Sequence, residues 1–384
     1  MLRPNIGNSL IAYRSSMKVL YVATEASAGM VPFAVTIINT MAKSGKYEIH
    51  AIVVNTDKLS FYGKFDSKVQ CTYISESASI LRKTFDKLWF SKVIRAIEYE
   101  QEKFKPNVIH FLTADFRLGL YSMFNSSCRK KFCYTVHDLY PHERTYRNLT
   151  SWLIQRIMAF GCMLNRKYIP TLTTCSAIQL EELKSLYPKK NIHFTHFPTL
   201  VTDEISDGIK HIEELENIEH YILFFGSIDK YKGVDILVEA YSKSTKLKRF
   251  KLVIAGKDRN HIIQKNNNII CIDRFIENNE LKYLFNKADI VVYPYRSATM
   301  SGVLSIALFF QKKIVLSDIP FFREYECEAT TFFKKYDVND LRATLEMEVT
   351  KNRTKQTGYY EIFFSPAIME KDYDLLYHSI TDLL

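Results

Sequence analysis

From Met17 onward, short apolar runs alternate with longer segments whose apolar residues recur every three to four positions. The short runs are rich in Val, Ile, Tyr and Phe and read as buried strands, while the amphipathic segments between them read as helices. In the first half the strand-like runs are 18–24, 48–55, 69–75, 107–113, 132–138, 171–176 and 192–198, with helical segments at 31–43, 79–104, 151–166 and 177–187. Repeated succession of strand, helix and strand builds a parallel sheet through right-handed crossovers. The predicted class is α/β.

A polar, acidic interval at 202–219 breaks this rhythm before it restarts. The second half has strands at 221–227, 250–256, 268–273, 289–295 and 314–317, helices at 234–244, 279–288 and 301–310, and a last helix within 366–384. That helix carries Tyr373, Leu376, Tyr377 and Ile380 on one face. The expected organisation is an arm or mis-assigned start at 1–16, a first domain at 17–201, a linker at 202–219, a second domain at 220–357 and a closing segment at 358–384. A chain of 384 residues is long for one core and suits two. Two doubly wound sheets leave a cleft at the carboxyl ends of their strands, where such sheets take ligands.

Composition narrows the partners. With 47% hydrophobic and 24% charged residues, disorder is not expected. The formal charge of +10 favours anionic partners: nucleoside diphosphates, lipid phosphates, an anionic membrane surface or nucleic acid. The basic runs are short and lack an RNA-binding aromatic signature, so nucleic acid is not expected. Seven scattered cysteines without CxxC spacing point to a reducing compartment and no structural metal. No run approaches the ~20 apolar residues of a spanning helix, and 1–16 lacks a signal-peptide core. The expected location is cytoplasmic.

Two stretches of the second half pass from a strand through a polar turn into a helix. In the first, Gly226 and Ser227 follow the strand, and Lys232 and Gly233 precede the helix. Glycine allows close backbone approach, and a lysine at a helix start sits where the helix dipole also favours an anion. An ordinary surface loop is the alternative. In the second, Ser301 is a natural N-cap, and the amides of Gly302 and Val303 are placed for phosphate oxygens; simple capping is the alternative. In the first half, His137 and Asp138 leave a buried strand toward the cleft, followed by His142 and Glu143. A histidine satisfying local backbone groups is the alternative there, and a metal is not expected. His110 is a further cleft candidate, and Gly29 lies in a small loop after the first strand.

The second half resembles the C-terminal domain of the retaining GT-B glycosyltransferases of family 4, the glycosyl transferases group 1. The resemblance is carried by Gly226, Ser227, Lys232 and Gly233, and by the strand, loop and helix of Tyr293 through Ala307, in which Ala298-Thr299-Met300-Ser301-Gly302-Val303-Leu304 matches one branch. It implies two Rossmann-like domains facing across a cleft, with a C-terminal helix crossing back to the first. It further implies metal-independent transfer of a hexose-type sugar, with retention, from a nucleoside diphosphate sugar to a hydroxyl acceptor. No cofactor beyond that donor is expected. On this resemblance Lys232, Ser301, Gly302 and Val303 hold the diphosphate, with Gly226 and Ser227 beside them. His137 stands near the transferred sugar and Asp138 orients it or the acceptor, while Gly29, His110, His142, Glu143, Thr299 and Glu324 line the cleft.

The resemblance implies a saccharide acceptor of bacterial surface polysaccharide or glycolipid assembly. The basic surface, the aromatic-rich segment around Trp89 and Phe90 and the basic stretch near Arg144 to Arg166 point to a lipid-linked saccharide met at the inner face of the cell membrane. The chain departs from the pattern in three places. Ser227 stands where the family often has arginine, and Ala298 and Ile306 stand where it often has two glutamates. These departures keep two alternatives open: a catalytically silent GT-B partner subunit, or another GT-B enzyme such as a nucleotide-sugar epimerase.

Overall fold

The computed structural model describes residues 16–27, 29–56, 60–75, 91–113, 115–139, 149–258, 268–298, 301–351 and 357–383. Strands β1 (Met17–Ala23), β2 (Tyr47–Asn55), β3 (Gln70–Ser75), β4 (Val108–Phe111), β5 (Phe132–Thr135), β6 (Thr171–Thr174) and β7 (Asn191–Phe194) form one parallel sheet. Its order is β3-β2-β1-β4-β5-β6-β7. Strands β8 (Tyr221–Phe225), β9 (Lys251–Ala255), β10 (Ile269–Ile272), β11 (Ala288–Tyr293), β12 (Lys313–Ser317) and β13 (Thr330–Phe333) form a second, in the order β10-β9-β8-β11-β12-β13. In each sheet the first strand sits inside and the chain winds outward to one side, then returns to build the other. The order therefore reverses between β1 and β4, and again between β8 and β11. At each reversal neighbouring loops part, which opens a crevice at the carboxyl edge.

The principal helices are α1 (Met30–Lys43), α2 (Ser91–Lys103), α3 (Phe116–Phe124), α4 (Leu149–Tyr168), α5 (Ala177–Leu186), α6 (Val234–Ser242), α7 (Leu281–Lys287), α8 (Val303–Phe309), α9 (Val338–Glu348) and α10 (Pro366–Thr381). Val19 through Ala23 of β1 and Ile290 through Tyr293 of β11 are all buried, as expected of strands covered on both faces. α10 begins at Ser365, whose hydroxyl accepts from the Ile368 amide, with Pro366 in the first turn where its missing N–H costs nothing. Met369, Tyr373, Leu376, Tyr377 and Ile380 are buried on one face. That face closes on the first sheet: Tyr377 donates to the Tyr21 hydroxyl at 2.8 Å, and Asp372 accepts from the His196 amide at 2.7 Å. Burying each such side chain is worth about 1.5–3 kcal/mol, so α10 ties the chain's end firmly to its first domain.

The interval 202–219 is more than a tether. Ile205, Ile212 and Leu215 are buried, the Lys210 amide donates to the Asn279 carbonyl at 3.2 Å, and the Leu215 carbonyl accepts from Tyr283 of α7 at 3.4 Å. The chain crosses between domains just before it. There Thr36 of α1 donates to the Thr199 carbonyl at 3.2 Å, and the Leu200 amide donates to the Ser305 hydroxyl of α8 at 3.1 Å.

The structure differs from the sequence expectations at two kinds of place. Several strands end earlier than the apolar runs, because Leu112, Thr113 and Val136 are wholly buried beyond the last paired residues. β13, α3 and α9 were not singled out by the pattern. β13 is a short, half-buried edge strand, and α3 has Gly119 in its middle, which weakens a helical signature.

Candidate functional site

The crevice of the second sheet lies between the loops that follow β8 and β11, and the two stretches singled out in the sequence are these loops. Gly226 ends β8 with φ +135°, its amide donating to the Ala255 carbonyl at 3.0 Å. The chain then makes a tight turn over Lys230–Lys232 and reaches Gly233 at φ +65°. A Cβ on Gly233 would lie 2.0 Å from the Pro294 carbonyl oxygen, so only glycine lets the two loops touch here. The Arg296 amide donates to the Tyr231 carbonyl at 2.7 Å, and the Arg296 guanidinium grips both oxygens of Asp235, in the first turn of α6, at 2.9 and 2.6 Å. A bidentate pair of this kind fixes orientation as well as distance. Arg296 was not singled out in the sequence, because nothing local marks Asp235 and Arg296 as partners.

Lys232 is 8% exposed. Its ammonium lies 3.8 Å from the centre of the Tyr295 ring and 5.0 Å from that of Tyr231. Burial pushes its pKa down from 10.5 to about 7, and the Asp229 carboxylate opposes this only in part. A lowering of that size sets roughly 5 kcal/mol against the charged form. Aromatic faces return about 2 kcal/mol to a desolvated cation, less than half of that. The site is thus a buried cation short of negative charge. Ser227 is partly buried and donates to Asp229 at 3.0 Å, which turns that carboxylate toward its own loop.

On the other wall, Ser301 is buried and Gly302 precedes α8, while Thr299 falls outside the described residues. Gly302 has an additional explanation besides close approach of a ligand. A Cβ there would lie 2.7 Å from Leu200 and 3.0 Å from Phe197, on the segment that joins the domains. Val303 sits across the crevice from Gly226, its Cγ1 3.9 Å from where a Cβ of that glycine would be. Ile306, in the place of the second family glutamate, is 2% exposed inside the core. Ala298 is partly buried against the same core.

At the switch of the first sheet, the loops after β1 and β4 are stitched together: the Thr24 amide donates to the Thr113 hydroxyl at 2.8 Å. Gly29 is exposed at the start of α1 with φ −91°, and nothing lies within 4 Å of where a Cβ would be. The position faces open space and needs no special backbone. His137 is partly buried, its ring edge-on to Phe33 of α1 at 4.7 Å. Its Nε2 donates to the Leu112 carbonyl at 2.7 Å, so Nδ1 carries the lone pair, and no described residue bonds to it. Burial lowers the pKa of His137, opposed by that carbonyl and by Asp138 and Glu25, so the neutral ring is favoured. The backbone bond expected of a merely structural histidine is present, and it leaves the second nitrogen buried without a described partner.

His110 is not in the cleft. It is fully buried in β4, its Nδ1 donating to Tyr377 at 2.9 Å and its Nε2 accepting from Thr135 at 2.8 Å. Burial, with a smaller effect of nearby His137, pushes its pKa down to about 3. The residue fastens α10 to the sheet, within a strand whose four residues are all buried. Glu324 does lie between the domains, where it accepts from the Ser176 hydroxyl at 2.7 Å and from the amides of Ala177 and Ile178 at 2.9 and 3.3 Å. His142 and Glu143 lie outside the described residues. Among the described residues no group of three His, Cys, Asp or Glu side chains is placed to hold a metal, and no helix is long and apolar enough to cross a membrane.

Comparison with known proteins bears on this arrangement. Residues 207–361, the part that holds Lys232 and both loops, match the family described as glycosyl transferases group 1. No curated protein matches the chain in sequence. Among solved structures it is similar to the sucrose-phosphate synthase of Thermosynechococcus elongatus, at 14% identity over 96% of this chain and 100% of that one, with a TM-score of 0.66. A glycosyltransferase of Rickettsia africae is similar at 14% identity over 95% and 99%, with a TM-score of 0.69. Anabaena HepE in complex with UDP is similar at 12% identity over 94% and 100%, with a TM-score of 0.67. The fold is GT-B. In this GT-B chain the crevices of both sheets lie beside the segment that carries Leu200 from one domain to the other.

Proposed function

We propose that this protein is a glycosyltransferase that moves a sugar from a nucleoside diphosphate sugar to a hydroxyl acceptor. The single observation that carries the reading is the buried, charge-starved Lys232 at the switch point of the sheet matched by the glycosyl transferases group 1 family. A diphosphate supplies the missing negative charge, and the charge grows on that group as the sugar departs, so the lysine helps the transition state more than the ground state. Ser301 with the amides of Gly302 and Val303 takes further phosphate oxygens, and Gly226 leaves room for them beside Ser227. This provides charge stabilisation without a metal or an added cofactor.

Across the cleft, Nδ1 of His137, buried in the ligand-free protein, accepts a hydrogen bond from a hydroxyl of the sugar or acceptor as the ligand enters, with Asp138 and Glu25 near the ring. Gly29 leaves open space at the same edge. The acceptor is a saccharide or a lipid-linked saccharide of surface polysaccharide or glycolipid assembly, reached by a cytoplasmic protein at the inner membrane face. Retention at the anomeric carbon follows from the family resemblance.

Burial of Ile306 favours a second reading, a silent partner subunit, since no carboxylate at that position reaches a ribose. Incubation with UDP-, GDP- and ADP-sugars, followed by phosphorus and proton NMR, separates the two. Release of one nucleoside diphosphate, with the sugar's anomeric configuration kept, supports the transferase. Tight nucleotide binding without release, even with cell lipid extract present, assigns the protein to the silent class.

A further inference from the structure

α4 has two faces, and among the described residues only one is packed against the fold. Its inner face carries Gly161 and Leu164, pressed against Gly119 of α3. A Cβ on Gly119 would lie 2.7 Å from the Gly161 carbonyl oxygen, and one on Gly161 would lie 2.6 Å from Phe116 Cα. The helices thus meet backbone to backbone. Away from that seam, Trp152, Arg156, Phe160, Met163 and Lys167 follow one another at spacings of four, four, three and four, within an arc of roughly 80°. All five are exposed, Phe160 by 47%, with Leu153 beside them at 52%. Phe124, 74% exposed at the end of α3, continues the patch toward Arg129, which donates to the Met123 carbonyl at 2.8 Å and stacks over Tyr168.

Single exposed apolar residues are ordinary, but a stripe of them with one sign of charge is not. From 116 to 168 the chain has nine Lys and Arg residues and only two acidic ones, Asp138 and Glu143. α3 and α4 themselves hold no acidic residue, and Arg129, Lys130 and Lys131 stand together beside the end of α4. Arg156 lies over the Trp152 ring at 5.4 Å, which keeps its stem flat on the apolar surface and its charge at the edge. Leu, Met and Phe give nothing to a nucleic-acid backbone, whereas an amphipathic, Trp-bearing basic helix fits the boundary between anionic headgroups and acyl chains.

We infer that the outer face of α4, with the end of α3, lies on an anionic lipid bilayer. The inference deepens the transferase reading and rests on it for its purpose: the other side of the same helix brings Cys162 to the Tyr134 hydroxyl, with Arg166, Asp138 and Glu25 close by. A bilayer under α4 presents lipid-linked hydroxyls at that end of the cleft.

The test is cosedimentation of the full chain with vesicles of phosphatidylcholine containing roughly a third phosphatidylglycerol, at about 50 mM salt. The protein binds these vesicles, leaves phosphatidylcholine alone, and is released by high salt. Replacing the exposed Lys130, Arg156 and Lys167 together by Gln weakens binding roughly a hundredfold. The pair Trp152→Ser with Leu153→Ser weakens it about tenfold or more. Both variants keep their melting temperature and their nucleotide binding, which shows that the fold and the donor site are intact. No binding by the parent chain, or equal binding by the variants, overturns the inference. Self-association that the Ser pair abolishes, without vesicle binding, overturns it in favour of a second copy of the chain. Vesicle binding by a protein that binds no nucleotide leaves this inference standing and removes the transferase reading.

Discussion

The carboxylate of Glu324 in the second domain accepts from the Ser176 hydroxyl in the first at 2.7 Å. Ser176 is the N-cap of α5, and the same carboxylate also takes the amides of Ala177 and Ile178. A negative charge at a helix start is favoured by the helix dipole and by amides that lack intrahelical partners. The contact is a clasp across the cleft, made by a residue that sequence reasoning assigned to the cleft on resemblance alone.

Removing the clasp should open the molecule. Glu324→Ala forfeits about 1–2 kcal/mol of interdomain attraction, which shifts a closed-to-open equilibrium roughly tenfold. Small-angle scattering of the ligand-free variant then gives a larger radius of gyration, while each domain keeps its secondary structure. An unchanged scattering profile contradicts the clasp.

Lys232 should make nucleotide binding proton-linked. Its pKa in the folded protein is about 7, against 10.5 ordinarily, so between these values the unfolded state holds more protons and stability rises with pH. Below pH 7 the full cost of the buried charge is present. Lys232→Met therefore stabilises the fold by on the order of 1–3 kcal/mol near pH 6, an advantage that fades toward pH 10. A bound diphosphate restores the charged form, so binding at pH 8 takes up about one proton. Calorimetry in buffers of different ionisation heat reads that number, and zero uptake refutes the assignment.

Gly233 should be intolerant of any side chain. It combines φ +65° with a carbonyl oxygen 2.0 Å from a prospective Cβ. Gly233→Ala should cost about 3 kcal/mol or more by denaturant titration and weaken nucleotide binding, because loop contact and backbone are disturbed together. At Gly29, where nothing lies near a Cβ, alanine leaves stability unchanged within about 0.5 kcal/mol.

His110 should matter to stability and not to the cleft. Tyr377→Phe removes the hydroxyl that accepts from His110 and donates to Tyr21, at a cost of about 1–3 kcal/mol. Nucleotide affinity should stay within a factor of about two, since the group is buried behind the sheet. A large loss of affinity without loss of stability would return His110 to the site.

Much of this was legible in sequence because parallel strands buried on both faces leave unbroken apolar runs, and because Gly226, Lys232 and Gly233 mark a turn whose geometry only glycine permits. The same signal misled at strand ends. Leu112 and Val136 are as buried as any paired residue, so hydrophobicity carried the predicted strands into the loops of the cleft. Long-range pairs were invisible: nothing near Arg296 announces Asp235, and nothing near Glu324 announces Ser176. Gly302, expected beside a ligand, is also accounted for by Leu200, which arrives from the other domain. His137 follows β5 at the carboxyl edge, yet the orientation of its ring depends on the Leu112 carbonyl, contributed from the end of a neighbouring strand.

The central claim is that Lys232 and the loops after β8 and β11 bind a nucleoside diphosphate. The direct measurement is isothermal calorimetry of the full chain against UDP, GDP, ADP and CMP, repeated with Lys232→Met. The account predicts saturable binding of one diphosphate, weakened at least about a hundredfold in the variant while its melting temperature holds or rises. Binding of none, or equal binding by both proteins, would contradict it.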